Sequence, residues 1–581
     1  MQHPIVLRPT RLITVVTVAL LIVPLLLLNV GQTVAHASAL LPHARKNQHP
    51  QFCNALGKTI QASSGAQMYC FGPQRNGAGT PKIESKKFGS NVDAANPNED
   101  ITPAGVRGYG QSETSIATVG KYVVEAWNDS TYFFSLCAPM SKDQGTGYGF
   151  SADGGASFVD EGGLPNANCN TSFYGGDPGV EAWSPGGTPY FYISSLFFNG
   201  NDPRSFLALA ACKVAGASSL ATLSCSQPII IASSTICHQT PQGPFCTFLD
   251  KDYISIDPQR GRLYVSYTEF DTDPTTFIST SIVELAACDI GTSSGGTGPL
   301  GGTAGTPVCN PGANGTVAQP ASPYFVVAPA SVCENEGAYP AVDLATGDVY
   351  VAYEHNWITN IFDFNCLNQP TQNVVSYIPF SCLPLATTST CSGPAATNGV
   401  SIISMETASI PGYNRFQMND FPRIAVSNQA GTVSIVWNDA GKHFLGDILL
   451  QSFTLKTLTA VQQAPVQLNN DTSGGVHMLP ALRNVDASGK LNVSWYDRRN
   501  APSTTQTDVF AAIGVNPLTS QTPASNLKVT TVPSDWSTTV SDITPNFGDY
   551  TDNYVAGSKF YVAWSDGRLH VPQPFEANLG L

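Results

Sequence analysis

Polar and apolar residues alternate with a period of two through short stretches of this chain. Each stretch runs into a cluster of turn residues and then a second alternating stretch that usually ends on an aromatic. Successive side chains of an extended strand point to opposite faces, so the pattern predicts β-hairpins. Seven copies follow one another. They are ETSIATVGKYVVEAWND from Glu113, DPGVEAWSPGGTPYFYIS from Asp177, DKDYISIDPQRGRLYVSYTEF from Asp250, EGAYPAVDLATGDVYVAYEHN from Glu336, DFPRIAVSNQAGTVSIVWNDA from Asp420, HMLPALRNVDASGKLNVSWYDRRN from His477 and DYTDNYVAGSKFYVAWSDGR from Asp549. The copies start roughly 60 to 85 residues apart, which leaves room after each hairpin for two more strands and a loop. Seven repeats of four strands predict an all-β fold, a seven-bladed β-propeller of four-stranded antiparallel blades over 111–581. The chain ends on PFEANLGL, long enough only for a third strand of the last blade, so a strand from 40–110 is expected to close the ring. The aromatics that end the second strands (Trp127, Tyr267, Tyr353, Trp437, Trp495 and Trp564) are expected to pack between blades.

One segment carries a family resemblance. SADGGASF, with Ser151, Asp153, Gly155, Ser157 and Phe158, matches the Asp-box that caps a blade turn in the sialidase-like (BNR) propellers. Together with the seven hairpins and the WYDRR and WSDGR strand ends, the chain resembles that superfamily over nearly all of its mature length. The resemblance implies a sialidase-like propeller and a box that is structural, with Asp and Ser tied to backbone amides. Sialidase chemistry would also need three arginines on the substrate carboxylate, an Asp acid/base and a Tyr nucleophile activated by a Glu. The Arg-Ile-Pro tripeptide of that family is absent, and among the inner strands only Arg423 and Arg483 occur. Asp250, Asp252, Tyr550 and Arg423 are the candidate catalytic groups, with no matching Glu to assign to Tyr550.

Aligning the copies on the turn after the first strand places a carboxylate seven positions earlier in six of them. These are Glu113, Asp177, Asp250, Glu336, Asp420 and Asp549, while the sixth copy has His477 near that place. Equivalent positions of inner strands form a ring at one mouth of a propeller's channel. Such a ring can latch neighbouring blades through backbone amides, hold calcium, or bind sugar hydroxyls and act as an acid/base pair. Asp252 adds an acid that a latch does not need.

Composition narrows the setting. Fourteen cysteines fall in close sequential pairs: Cys53/Cys70, Cys137/Cys169, Cys212/Cys225, Cys237/Cys246, Cys288/Cys309, Cys333/Cys366 and Cys382/Cys391. With no C-x-x-C spacing they predict seven local disulfides and an oxidising compartment. Arg8, Arg11, the apolar run 12–28 and the A-x-A sites at 35–39 read as an export signal over 1–39, the alternative being an uncleaved anchor. A net charge of -14 argues against nucleic acid or an anionic membrane as partner. No zincin or nucleophile-elbow spacing is present. The expected function is extracellular recognition, glycan binding at a carbohydrate or glycoprotein surface without sialidase chemistry. The alternative is a glycoside hydrolase using the channel-mouth carboxylates.

Overall fold

The computed structural model describes residues 48–581 with gaps, the longest at 78–86, 135–143, 310–324, 357–365 and 386–398. The chain divides into Met1–Arg45, which lies outside the described residues together with the export signal, and Lys46–Leu581. The second unit is a seven-bladed β-propeller. Its innermost strands are Gln111–Val119, Gly179–Trp183, Phe248–Asp257, Asn335–Val342, Arg423–Ser427, His477–Ala481 and Asp552–Ala556. Each lies in an antiparallel sheet whose later strands run outward, except that the last blade takes its outer strands from 87–93.

The last blade shows how the ring closes. Gln573–Gly580 is its third strand, and Asn91–Asp93 pairs with it as the fourth, Val92 opposite Glu576 and Asp93 opposite Phe575. Closing the ring with a strand from before the first blade pairs the outer edge of the last blade's third strand. Several blades carry more than four strands. In blade 2, for example, Thr222–Cys225 and Ile229–Ser233 both pair with Ser205–Ala215.

The aromatic strand ends pack between blades. Trp437 shares a core with Tyr350 and Tyr377 of the preceding blade, Trp495 with Ala425 and Ile448, and Trp564 with Tyr496 and Val509. Burying such rings removes roughly 150–250 Å² of apolar surface each, and it ties every blade to its neighbour. Three of the indoles also donate to a carboxylate two residues on: Trp437 to Asp439, Trp495 to Asp497 at 2.8 Å and Trp564 to Asp566 at 2.7 Å. Arg499 and Arg568 then clasp Asp497 and Asp566. The WYDRR and WSDGR strand ends are thus built for bracing.

The turn at 151–158 is closed by its own side chains. Asp153 accepts from the Ser157 amide at 3.0 Å and its hydroxyl at 2.6 Å, and Ser151 Oγ accepts from the Gly155 amide at 2.9 Å. Phe158 is buried between blades 7 and 1.

Five disulfides are described: Cys53–Cys70, Cys212–Cys225, Cys237–Cys246, Cys288–Cys309 and Cys333–Cys366. Cys169 and Cys382 are also disulfide-bonded, while Cys137 and Cys391 lie outside the described residues. Among the described residues no helix is long and apolar enough to cross a membrane.

Candidate functional site

Strand pairing fixes which inner-strand residues are equivalent. Ser115, Gly179, Tyr253, Tyr339, Arg423, Ala481 and Asp552 lie opposite Ala126, Ser194, Ser266, Ala352, Val436, Ser494 and Ala563 of the second strands. Counted back from this layer, Asp250, Glu336, Asp420 and Asp549 share one position, three residues earlier. Glu113 and Asp177 stand two residues earlier, where blade 3 has Lys251. His477 stands four earlier. The offset arises because the hairpin turns differ in length. Val119 pairs with Tyr122 across two residues, whereas Asp257 pairs with Arg262 across four. A bulge at this level breaks the register in blades 1, 3, 4 and 6. Glu113, Asp177 and Lys251 take the left-handed conformation there, with φ of 55°, 58° and 54°. Such backbone is unfavourable for non-glycine residues and points these side chains inward against their neighbours.

The strand entrances are covered from within the chain. The lead-in forms two short helices, α1 (Pro50–Ala55) and α2 (Ser64–Phe71), stapled by Cys53–Cys70. Ser63 caps α2 and donates its amide to Asp250 Oδ2 at 2.8 Å and its hydroxyl to Asp250 Oδ1 at 2.5 Å. The Gly65 amide donates to Asp177 at 3.0 Å, so closely that a Cβ on Gly65 would lie 2.7 Å from that oxygen. Asn128 reaches Ser64 Oγ at 2.6 Å and Glu113 at 2.8 Å. The apolar side of the lead-in is anchored too, with Phe52 stacked on Phe248 at 4.0 Å between ring centres.

Two cations stand among these acids. Lys251 Nζ lies 2.6 Å from Asp549 and 3.4 Å from Glu113, and Arg415 lies 2.8 Å from Asp549 while also donating to the Ala62 carbonyl. The Asp549 amide donates to Glu113 at 2.9 Å, a bond between blades 7 and 1. Burial pushes Glu113 up to about 7, with Asp177 adding to the shift. Burial likewise pushes Asp177 and Asp250 up to about 6 despite Lys251. Burial holds Glu336 and Asp252 well above the usual carboxylate range. Asp420 stands apart, accepting from the Thr407 amide at 2.6 Å and from Asn438. His477 is paired with Asp471 at 2.8 Å. Asp471, His477 and Asp497 are close enough to hold a metal, but Arg499 already occupies that space, 2.6 Å from Asp497 and 3.4 Å from Asp471. Lys251 and Arg415 supply positive charge among these carboxylates.

One layer deeper the channel is filled. Tyr253 and Tyr339 stack at 3.5 Å, and the Arg423 guanidinium lies over Tyr339 at 4.9 Å and Tyr550 at 5.6 Å. The Tyr550 hydroxyl donates to the Pro178 carbonyl at 3.3 Å, and burial drives its ionisation well above the usual range, with Glu113 and Asp177 adding to it. Arg483 crosses the channel to Asp552 at 2.7 Å, Tyr253 at 3.0 Å and the carbonyls of Val180 and Ile254, and it pairs with Glu181 at 3.2 Å. Beyond Arg483, at the hairpin-turn end, a cavity of about 490 Å³ opens, with Glu181, Arg483 and Tyr554 at its floor.

The mouth that the repeats point to is therefore a carboxylate cluster covered by the lead-in, and the open cavity lies at the other end. A search of family models and of curated proteins finds no match to this sequence. Among solved structures the chain is similar to a Hadza microbial sialidase, at 9% identity and a TM-score of 0.36 over 84% of this chain and 68% of that one. It is also similar to Trypanosoma rangeli sialidase (11% identity, TM-score 0.33, 87% of this chain and 60% of that one). An α-L-arabinofuranosidase from Lactobacillus brevis matches at 11% identity and a TM-score of 0.26, over 64% of this chain and 93% of that one. The chain spans about 60% of the length of the trypanosomal enzyme. The fold is decided by the chain's own blade topology. The chain is a seven-bladed β-propeller.

Four side chains of this propeller's channel were missed by sequence reasoning: Lys251, Arg415, Glu181 and Tyr554. Lys251 had a signal, since it stands between Asp250 and Asp252. Glu181 and Tyr554 sit two residues past the aligned layer, in register with Arg483. Arg415 arrives from a loop between blades and had none.

Proposed function

We propose that this propeller works outside the cytoplasm as a non-catalytic recognition protein for glycans, with the carboxylate mouth as the region that meets sugar hydroxyls. The observation that carries the reading is the state of the channel arginines and Tyr550. Arg415 is paired with Asp549, Arg423 lies on tyrosine faces and Arg483 is paired with Asp552 and Glu181. A substrate carboxylate would have to break buried ion pairs to reach Arg415 or Arg483, and losing one partner of such a pair costs about 3–5 kcal/mol. Tyr550 is held as a neutral donor, the opposite of an activated nucleophile.

The mouth itself suits hydroxyl donors. Asp250 takes an amide and a hydroxyl from the single residue Ser63, the geometry with which a carboxylate receives two neighbouring hydroxyls of a sugar ring. A glycan binding there would displace the first turn of α2. The local disulfides and the export-like N-terminal segment support an extracellular setting. A second reading, a glycoside hydrolase, is favoured by Glu113, Asp177 and Asp250, whose raised affinities for protons reach the range of general acids.

The test is a glycan array probed with the whole protein and with Asp177→Asn. Saturable binding of defined glycans that Asp177→Asn weakens at least tenfold, with the melting temperature kept, supports the reading. Failure to bind any glycan, or binding indifferent to Asp177, overturns it.

A further inference from the structure

The cavity at the hairpin-turn end is chemically unlike the carboxylate mouth. Its wall is a band of aliphatic side chains, Ile256, Val342, Val426 and Val555 from inner strands and Val485 from just beyond the inner strand of blade 6. Leu344 stands at the rim and is exposed. The volume of about 490 Å³ falls within the range of small-molecule sites, roughly 300–1,000 Å³. Hydroxyl-rich sugars would leave such a wall poorly used, whereas an apolar body would be removed from water by it.

The floor is polar and its remaining capacity is of one kind. The buried Arg483 guanidinium is spent on Asp552, Tyr253, two carbonyls and Glu181, so it has little left to offer an incoming acceptor. Glu181 Oε2 accepts from the Ala182 amide at 3.1 Å and from Tyr554 Oη at 3.2 Å, while Oε1, among the described residues, faces Arg483. A carboxylate offers about four lone-pair positions, so Oε1 can take one more donor. Among the residues lining the cavity, Glu181 and Asp486 stand against Arg483, while Asp552 and Arg423 belong to the layer beneath, in a chain whose net charge is -14. An acceptor left open in a negative, apolar-walled cavity selects a cation with an apolar body.

We propose that this end of the channel is a binding site for a small cationic amphiphile, its aliphatic or aryl body held by the valine and isoleucine band and its ammonium group donating to Glu181. The site is independent of the carboxylate mouth and of what that mouth binds.

The test uses three matched probes, 3-phenylpropylammonium, 3-phenylpropan-1-ol and 3-phenylpropionate, titrated calorimetrically into the whole protein at low ionic strength. The ammonium is expected to bind saturably, at least tenfold more tightly than the alcohol, and the carboxylate not at all. Glu181→Gln is expected to remove the preference for the ammonium over the alcohol. Because that change also unpairs Arg483, a second variant leaves the floor intact. Val426→Trp, at a partly exposed wall position, fills the cavity and is expected to weaken the ammonium and the alcohol alike by at least tenfold at an unchanged melting temperature. Equal binding of all three probes, no saturable binding of the ammonium, or indifference to Val426→Trp would overturn the proposal.

Discussion

Ser63 and Asp250 meet through two hydrogen bonds, the amide to Oδ2 at 2.8 Å and the hydroxyl to Oδ1 at 2.5 Å, and this contact fastens the lead-in over the channel. Ser63 Oγ also accepts from the Ala66 amide at 2.9 Å as the cap of α2. Ser63→Ala keeps the amide bond but loses the hydroxyl bond and the cap, and is expected to cost about 0.5–2 kcal/mol, the range for removing a cap. Asp250→Asn leaves one acceptor for two donors and is expected to cost about 1–3 kcal/mol. Urea unfolding gives the magnitudes. Hydrogen exchange is expected to rise first in 50–72, and a rise spread evenly over the blades would contradict the assignment.

Acid should stabilise this protein over part of its range. In the folded state Glu113 titrates near 7 and Asp177 and Asp250 near 6, above the ordinary 4.5 and 3.8. Groups whose folded affinity for protons is raised stabilise fully below their unfolded values, and that contribution is lost as pH rises through the folded ones. His49 opposes them. Burial lowers it to about 4 from 6.5, so its contribution is lost as pH falls from 6.5 toward 4. Three carboxyls against one imidazole leave the melting temperature higher at pH 5.5 than at pH 8. Glu113→Gln is expected to flatten that slope and His49→Phe to steepen it. Equal melting temperatures at both pH values would contradict the burial of the cluster.

Arg483 joins blade 6 to blades 2, 3 and 7 from the channel axis. Arg483→Ala leaves Asp552 and Glu181 as uncompensated buried charges, and a loss of about 3–5 kcal/mol is expected in urea unfolding. Adding Asp552→Asn should recover part of it, as coupled neighbours do. Additive losses would show that the pair is not coupled.

Calcium and chelators offer a direct reading of the mouth. With Lys251 and Arg415 already among the carboxylates, millimolar calcium is expected to leave the melting temperature unchanged, and so is a chelator. A calcium-dependent rise that Asp549→Asn abolishes would restore a metal to the ring.

The hairpins, their number and the closing strand were legible because each rests on local chemistry: period-two alternation, turn residues, and a chain end too short for a fourth strand. The self-closing turn at 151–158 was legible for the same reason. The entrance ring was legible only in part. Asp250, Glu336, Asp420 and Asp549 share a register position, but Glu113 and Asp177 are shifted by one because turn lengths and a bulge set register, and neither announces itself in the residues. The cover over the mouth was hidden more deeply. The segment around Ser63 has no repeat signature, and its partners lie more than a hundred residues away, Asp177 from Gly65 and Asp250 from Ser63. Arg415 was hidden for the same reason, being positioned by tertiary packing alone.

Recognition without hydrolysis is the central claim, and turnover tests it most directly. The whole protein is to be incubated with fluorogenic sialosides and neutral glycosides from pH 4 to 8. No release above the level of the Glu113→Gln, Asp177→Asn and Tyr550→Phe variants is expected for any substrate. Hydrolysis that Glu113→Gln, Asp177→Asn or Tyr550→Phe abolishes, at an unchanged fold, would contradict the account and make the carboxylate mouth an active site.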